Sequence, residues 1–135
     1  MENEIVLFET EDHEIKLNVA VENNTVWLNR KQLAELFGRD VKTIGKHINN
    51  ALKEELDNSV VANFATTASD GKVYQVEHYN LDMIISIGYR VNSKQGILFR
   101  KWATNILKDY MLKGYAVNQK RLEYEVLSYE RNNLS

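Results

Sequence analysis

The sequence predicts an α+β fold on three observations. Short segments of alternating apolar and polar residues open the chain, Glu4 to Phe8 and Glu14 to Val21. Helical stretches with caps and apolar residues at three- and four-residue spacing follow. Ser69-Asp70-Gly71 then joins two further strand-like segments, Ser59 to Thr67 and Lys72 to Tyr79. With 135 residues, the chain suffices for one core of ordinary size, or a small core and an appended helical element, and is too short for two full domains.

The first two segments, with Glu22-Asn23-Asn24-Thr25 as a turn before Val26-Trp27-Leu28, predict an amino-terminal antiparallel sheet. Asn29 is placed to cap a helix starting at Arg30, and Gly38 to stop it after Phe37 in the left-handed conformation that glycine adopts at least cost. A second helix is expected from about Asp40 to Glu55. Asp70-Gly71 predicts a type I′ hairpin turn. Asn80 then caps a short helix from Leu81 to Gly88 or Tyr89, and Ser93 a longer one ending near Lys113, with Gly114 as its stop. A last helix is expected from Asn118, with Leu122, Val126 and Tyr129 on one stripe. The expected division is a domain over 1–117 and, over 118–135, the start of a carboxy-terminal helix suited to a coiled coil and cut within its length.

Without cysteine there is no disulfide framework, thiol nucleophile or cysteine-based zinc site, and a reducing compartment fits. The acidic first residues carry an apolar run of only Ile5 to Phe8, and no stretch approaches the roughly 20 apolar residues of a membrane span. The expected location is the cytoplasm.

The net charge of −2 conceals a segregation. Residues 29–53 hold six cations against two carboxylates, a net +4, and residues 90–121 hold eight against one, a net +7. A binding surface depends on local field, which the whole-chain average hides.

The first basic block coincides with a helix-turn-helix pattern. Such a pair needs a small residue where the helices approach, a glycine at the tight turn and an aliphatic residue on the second helix's inner face. Ala34, Gly38 and Ile44 meet these needs. Leu33, Leu36 and Phe37 continue the inner face of the first helix, and Val41, Ile44, Ile48 and Leu52 form that of the second. Lys42, Lys46, Asn49 and Lys53 fall on its outer side, with Thr43, His47 and Asn50 beside them. Lysines there suit phosphate, while Thr43, His47 and Asn49 suit base edges in the major groove. The alternative is a lysine-rich face that keeps a surface helix soluble. Gly45 inside this helix costs about 1 kcal/mol relative to alanine and allows close approach of another backbone.

The hairpin lies where a winged helix-turn-helix has its wing, so Lys72 at the tip and Ser69 are candidates for phosphate contact, with Asp70 turned away. Arg39 joins the candidates from the turn. The second basic block has two readings: Arg90 and Lys94 flank a helix start that holds an anion, or Ser93 is only a cap and the cations are solvated. Leu98, Trp102, Ile106 and Tyr110 form a stripe expected in a core or dimer contact. The three histidines, His13, His47 and His78, are scattered without metal-ligand spacing, and no phosphate-binding glycine loop or nucleophile elbow occurs. No catalytic residue, metal or other cofactor is expected.

Over about Val26 to Leu122, the segments VWLNRKQLAELFGRDVKTIGKHINN and SVVANFATTASDGKVYQVEHYNLDMIISIGYRVNSKQGILFRKWATNILKDYMLKGYAVNQKRL resemble the amino-terminal part of bacterial RhuM-type proteins, named as virulence proteins. FRKWATNILKDYMLKGY is more loosely similar to the end of the amino-terminal domains of phage antirepressor-like proteins. The resemblance implies a DNA-binding domain on a longer protein from a mobile or horizontally acquired element; it implies no toxin chemistry.

The sequence therefore leads to a winged helix-turn-helix with an amino-terminal β-sheet and additional carboxy-terminal helices, not an enzyme, with double-stranded DNA as partner and a homodimer through the carboxy-terminal helices. The alternative is a protein-interaction module that docks a partner through those basic helices.

Overall fold

A computed structural model describes residues 4–112, and the chain divides into two units, residues 1–103 and 104–135. The first unit runs β1 (Glu4–Glu9), β2 (Lys16–Glu22), β3 (Thr25–Asn29), α1 (Arg30–Phe37), α2 (Val41–Glu54), a single 3-10 turn (Asn58–Val60), β4 (Val61–Thr67), β5 (Val73–Asn80) and α3 (Leu81–Arg90). Helix resumes at residue 94; its part up to 103 is α4, and residues 104–112 are helical in the second unit. The α+β class is as the sequence predicts. The boundary at 117/118, the stop at Gly114 and the stripe Leu122-Val126-Tyr129 lie outside the described residues.

The amino-terminal strands and the later hairpin belong to one five-stranded antiparallel sheet, in the order β1-β2-β3-β5-β4. Its joint is the pairing of Leu28 with Tyr79 and Asn29 with His78. Two helices intervene in sequence between those strands, so neither alternation nor turn chemistry announces the pairing.

The type I′ turn expected at Asp70-Gly71 occurs instead between β2 and β3. Asn23 and Asn24 both have positive φ, 54° and 61°, which is type I′ geometry, and they join β2 to β3. At the later hairpin only Gly71 is left-handed, at φ 81°. There the Gly71 amide donates to the Ala68 carbonyl and the Ala68 amide to that of Lys72, both at 2.9 Å. That is a type I turn followed by a left-handed glycine, the three-residue hairpin loop. The Asp70 carboxylate selects it by accepting from the Lys72 amide at 2.9 Å and the Tyr74 hydroxyl at 2.8 Å. These two bonds hold the Asp70 carboxyl below its ordinary range.

Caps fix the helix starts. The Asn29 side chain accepts from the Gln32 amide while the Gln32 side chain accepts from the Asn29 amide, a reciprocal capping box. The side chains of Asp40 and Asn80 cap α2 and α3 one way only, accepting from the amides of Thr43 and Met83. The core gathers Leu17 and Val19 of β2, Val26 and Leu28 of β3, Leu33, Leu36 and Phe37 of α1, Ile44, Ile48 and Ala51 of α2, and Met83, Ile84 and Ile87 of α3. Trp27 is buried with its ring edge-on to Phe64, which in turn meets His78. Its indole N–H donates to the Glu22 carbonyl at 3.0 Å.

On α4 the buried residues are Phe99 and Ala103, with Trp102 half-buried, and the Phe99 and Trp102 rings pack edgewise on Phe8 of β1 at 5.1 and 5.2 Å. Of the stripe expected in a core or dimer contact, Leu98 is exposed and so takes no part in this unit's core. Gly88 of α3 and Gly96 of α4 meet at backbone distance over the Phe37 ring, which fixes the rotation of α4 and sends Phe99 inward.

Candidate nucleic-acid interface

Helices α1 and α2 and the tight turn between them form from local signals. Gly38 ends α1 at φ 62°, and the amides of Gly38 and Arg39 both donate to the Ala34 carbonyl. Asp40 restarts the helix; its interaction with the Thr43 side chain, and then the Thr43 amide, holds its carboxyl below the usual range. Ala34 is thus the acceptor that closes the turn, and Ile44, fully buried, seals α2 against α1.

Helix α2 has two unlike faces. Ile44, Ile48 and Ala51 are buried, whereas Lys42, Lys46, Asn49 and Lys53 are all exposed, and Thr43, His47 and Asn50 form a half-buried border between them. Among the described residues, no carboxylate lies within ion-pair distance of Lys42, Lys46 or Lys53. Among the described residues, the positive charge of this face is not neutralised by an ion pair. Val41, expected inward, is 43% exposed at the start of α2, because Asp40 and the tight turn lift the first helical residue off the core. Ala51 takes part in the inner face alongside the half-buried Leu52.

The remaining sequence-predicted residues separate into two groups. Lys72 and Ser69 are exposed at the hairpin tip, where the Asp70 carboxylate is engaged within the turn. Lys94 is exposed at the start of α4. Arg39 and Arg90, in contrast, have partners inside the protein. Arg39 donates to the carbonyls of Phe37, Gly38 and Val91 at 3.0, 3.3 and 3.2 Å. Arg90 forms ion pairs with Glu54 and Glu55, each at 3.0 Å, and contacts the Ser86 hydroxyl, which itself donates to Glu55. At the start of α4, the Ser93 hydroxyl accepts from the Gln95 amide at 3.2 Å, which is the capping alternative for this segment.

Two residues absent from the sequence-based candidates line a groove of about 810 Å³ between the start of α1, the start of α2 and the hairpin: Arg30 and Lys31. Asn29, Val41, Ser69, Gln75, Glu77 and Tyr79 are among the other residues of its wall. Arg30 lies across Gly45, where an added Cβ would be 3.1 Å from a guanidinium nitrogen. It also meets the hydroxyl of Tyr79, where it opposes the rise in pKa that burial imposes on the phenol. Where close approach of a backbone was expected at Gly45, the structure has this side chain instead. A signal was present in the sequence: two cations in the first turn of α1, where the helix dipole favours anions.

Comparison with protein families matches residues 59–132 to the virulence protein RhuM family. No curated protein and no solved structure matches the chain.

Proposed function

The chain belongs to the virulence protein RhuM family, and we propose that its described part is a winged helix-turn-helix that binds double-stranded DNA, with α2 as recognition helix and the β4–β5 hairpin as wing. The observation that carries this reading is the contrast on α2: a buried apolar face opposite an exposed face of Lys42, Lys46, Asn49 and Lys53 that no carboxylate of the described residues neutralises. The order strand, helix, helix, hairpin, with β3 paired to the hairpin's second strand, supports it.

In this reading α2 enters the major groove. Lys42, Lys46 and Lys53 neutralise phosphates; Thr43, His47 and Asn49 face base edges; and Lys72, with Ser69, meets the backbone beside the groove. Lys94 adds charge from the start of α4. Arg39 and Arg90 contribute chiefly by holding the unit together. The role is that of a regulator or DNA-targeting module of a mobile or virulence-associated element.

Selection of bound duplexes from a random pool tests the proposal. Enrichment of a short motif supports it; failure to retain any duplex at low salt contradicts it.

A further inference from the structure

Arginines near the helix-turn-helix differ in what they touch. Arg39 is held by backbone carbonyls and Arg90 by two carboxylates. Arg30 has no carboxylate within ion-pair distance among the described residues, yet it is half-buried and held between Gly45 of α2 and Tyr79 of β5. A guanidinium carries five N–H donors, and the Tyr79 hydroxyl occupies few of them.

Both local features around it run against stability. Gly45 within α2 gives up helix propensity relative to alanine. Arg30 and Lys31 in the first turn of α1, which contains no acidic residue, oppose the helix dipole. Departures from local preference concentrate at functional sites. An anion between α1 and the hairpin would turn the unfavourable charge into a favourable one.

We propose that this groove receives the phosphate backbone of bound duplex DNA, Arg30 and Lys31 neutralising one phosphate each as the strand passes between α2 and the hairpin. The proposal rests on the DNA-binding reading and adds a seat distinct from the lysine face of α2. Ser69 and Gln75 offer neutral hydrogen-bonding groups on the opposite wall. Glu77, the acidic member of the lining, accepts from the Tyr79 hydroxyl at 3.0 Å, and Arg30 and Lys31 outnumber it, so the groove carries a net positive charge. Val41 presents its apolar side chain at the same groove, beside the entry of α2 into the major groove.

The test is duplex affinity across a salt series for the full chain and for Arg30→Gln, Arg30→Lys and Lys31→Gln. Each phosphate that a variant no longer neutralises lowers the slope of log affinity against log salt by about 0.9. Arg30→Gln and Lys31→Gln are each expected to lower it by about that amount. Arg30→Lys retains the slope while weakening binding several-fold, because the planar fork is gone. Lys31 is exposed and keeps the test open where Arg30→Gln does not fold. Unchanged slopes in both glutamine variants, with wild-type binding intact, overturn this seat without touching the recognition helix; absence of wild-type binding overturns the underlying reading instead. Inorganic phosphate added at constant ionic strength separates the sources: thermal stabilisation lost in Arg30→Gln, with the duplex slope unchanged, identifies a free-anion site and contradicts a DNA seat.

Discussion

The guanidinium of Arg39 donates to the backbone carbonyl of Val91 at 3.2 Å, joining the turn between α1 and α2 to the end of α3 across 52 residues of sequence. With the bonds to the Phe37 and Gly38 carbonyls, this makes Arg39 a clasp between two elements. Hydrogen bonds from a charged donor contribute roughly 1.5–3 kcal/mol, and partial exposure of Arg39 places the expected loss in Arg39→Ala at the lower end. Chemical denaturation should show that loss, whereas the salt slope of duplex binding, measured where the variant is folded, should remain that of the parent.

Arg90→Gln follows the same logic at a smaller magnitude. Its carboxylate partners, Glu54 and Glu55, are 63% and 50% exposed, so solvent screens the pairs and a loss of about 0.5–1 kcal/mol is expected. The difference between parent and variant should shrink in high salt. A difference that persists undiminished would assign Arg90 a packing role instead.

Two glycine-to-alanine substitutions should change stability in opposite directions. At Gly45 an added Cβ meets only the end of the flexible Arg30 side chain, at 3.1 Å, so Gly45→Ala recovers helix propensity and stabilises by about 0.5–1 kcal/mol. At Gly88 the same atom lies 3.3 Å from the Phe37 ring and 3.4 Å from the Gly96 backbone, neither of which can yield, and Gly88→Ala should destabilise by about 1–3 kcal/mol. Thermal midpoints of the two variants check the contrast.

His78 predicts a pH dependence. Burial lowers its pKa from 6.5, against the opposing effect of the Val76 carbonyl at its Nδ1, so the folded state prefers the neutral ring more than the unfolded chain does. Stability from this group is present above pH 6.5 and is lost as pH falls through the depressed folded value. The carboxyls of Asp40, Asp57 and Asp70 are themselves lowered from 3.8, and their contributions disappear only at more acidic pH. Unfolding free energy should therefore decline as pH falls below 6.5, and His78→Gln should flatten that decline.

What the sequence made legible was local. Asn29, Gly38, Asp40 and Asn80 each act within four residues of themselves, and helix starts and stops followed from them. Lys42, Lys46 and Asn49 were placed correctly on the exposed face because α2 has a continuous apolar stripe opposite. Less accessible were effects set by distant partners: the pairing of Leu28 with Tyr79, the commitment of Arg39 to Val91 and of Arg90 to Glu54 and Glu55. Val41 and Leu98 lie off the core for a related reason. Periodicity gives the width of an apolar face, but the turn at Asp40 and the Gly88–Gly96 crossing set its rotation. Arg30 escaped notice because Gly45, fifteen positions away, is what lets it lie flat against α2.

The most direct test of the recognition-helix assignment is the salt dependence of duplex affinity in a Lys42→Gln, Lys46→Gln double variant. Both side chains are exposed and without an ion pair among the described residues, so the fold should remain intact. Weaker binding is expected, with a slope lower by about 1.8, the share of two neutralised phosphates. Parental affinity and slope in the double variant would contradict the assignment.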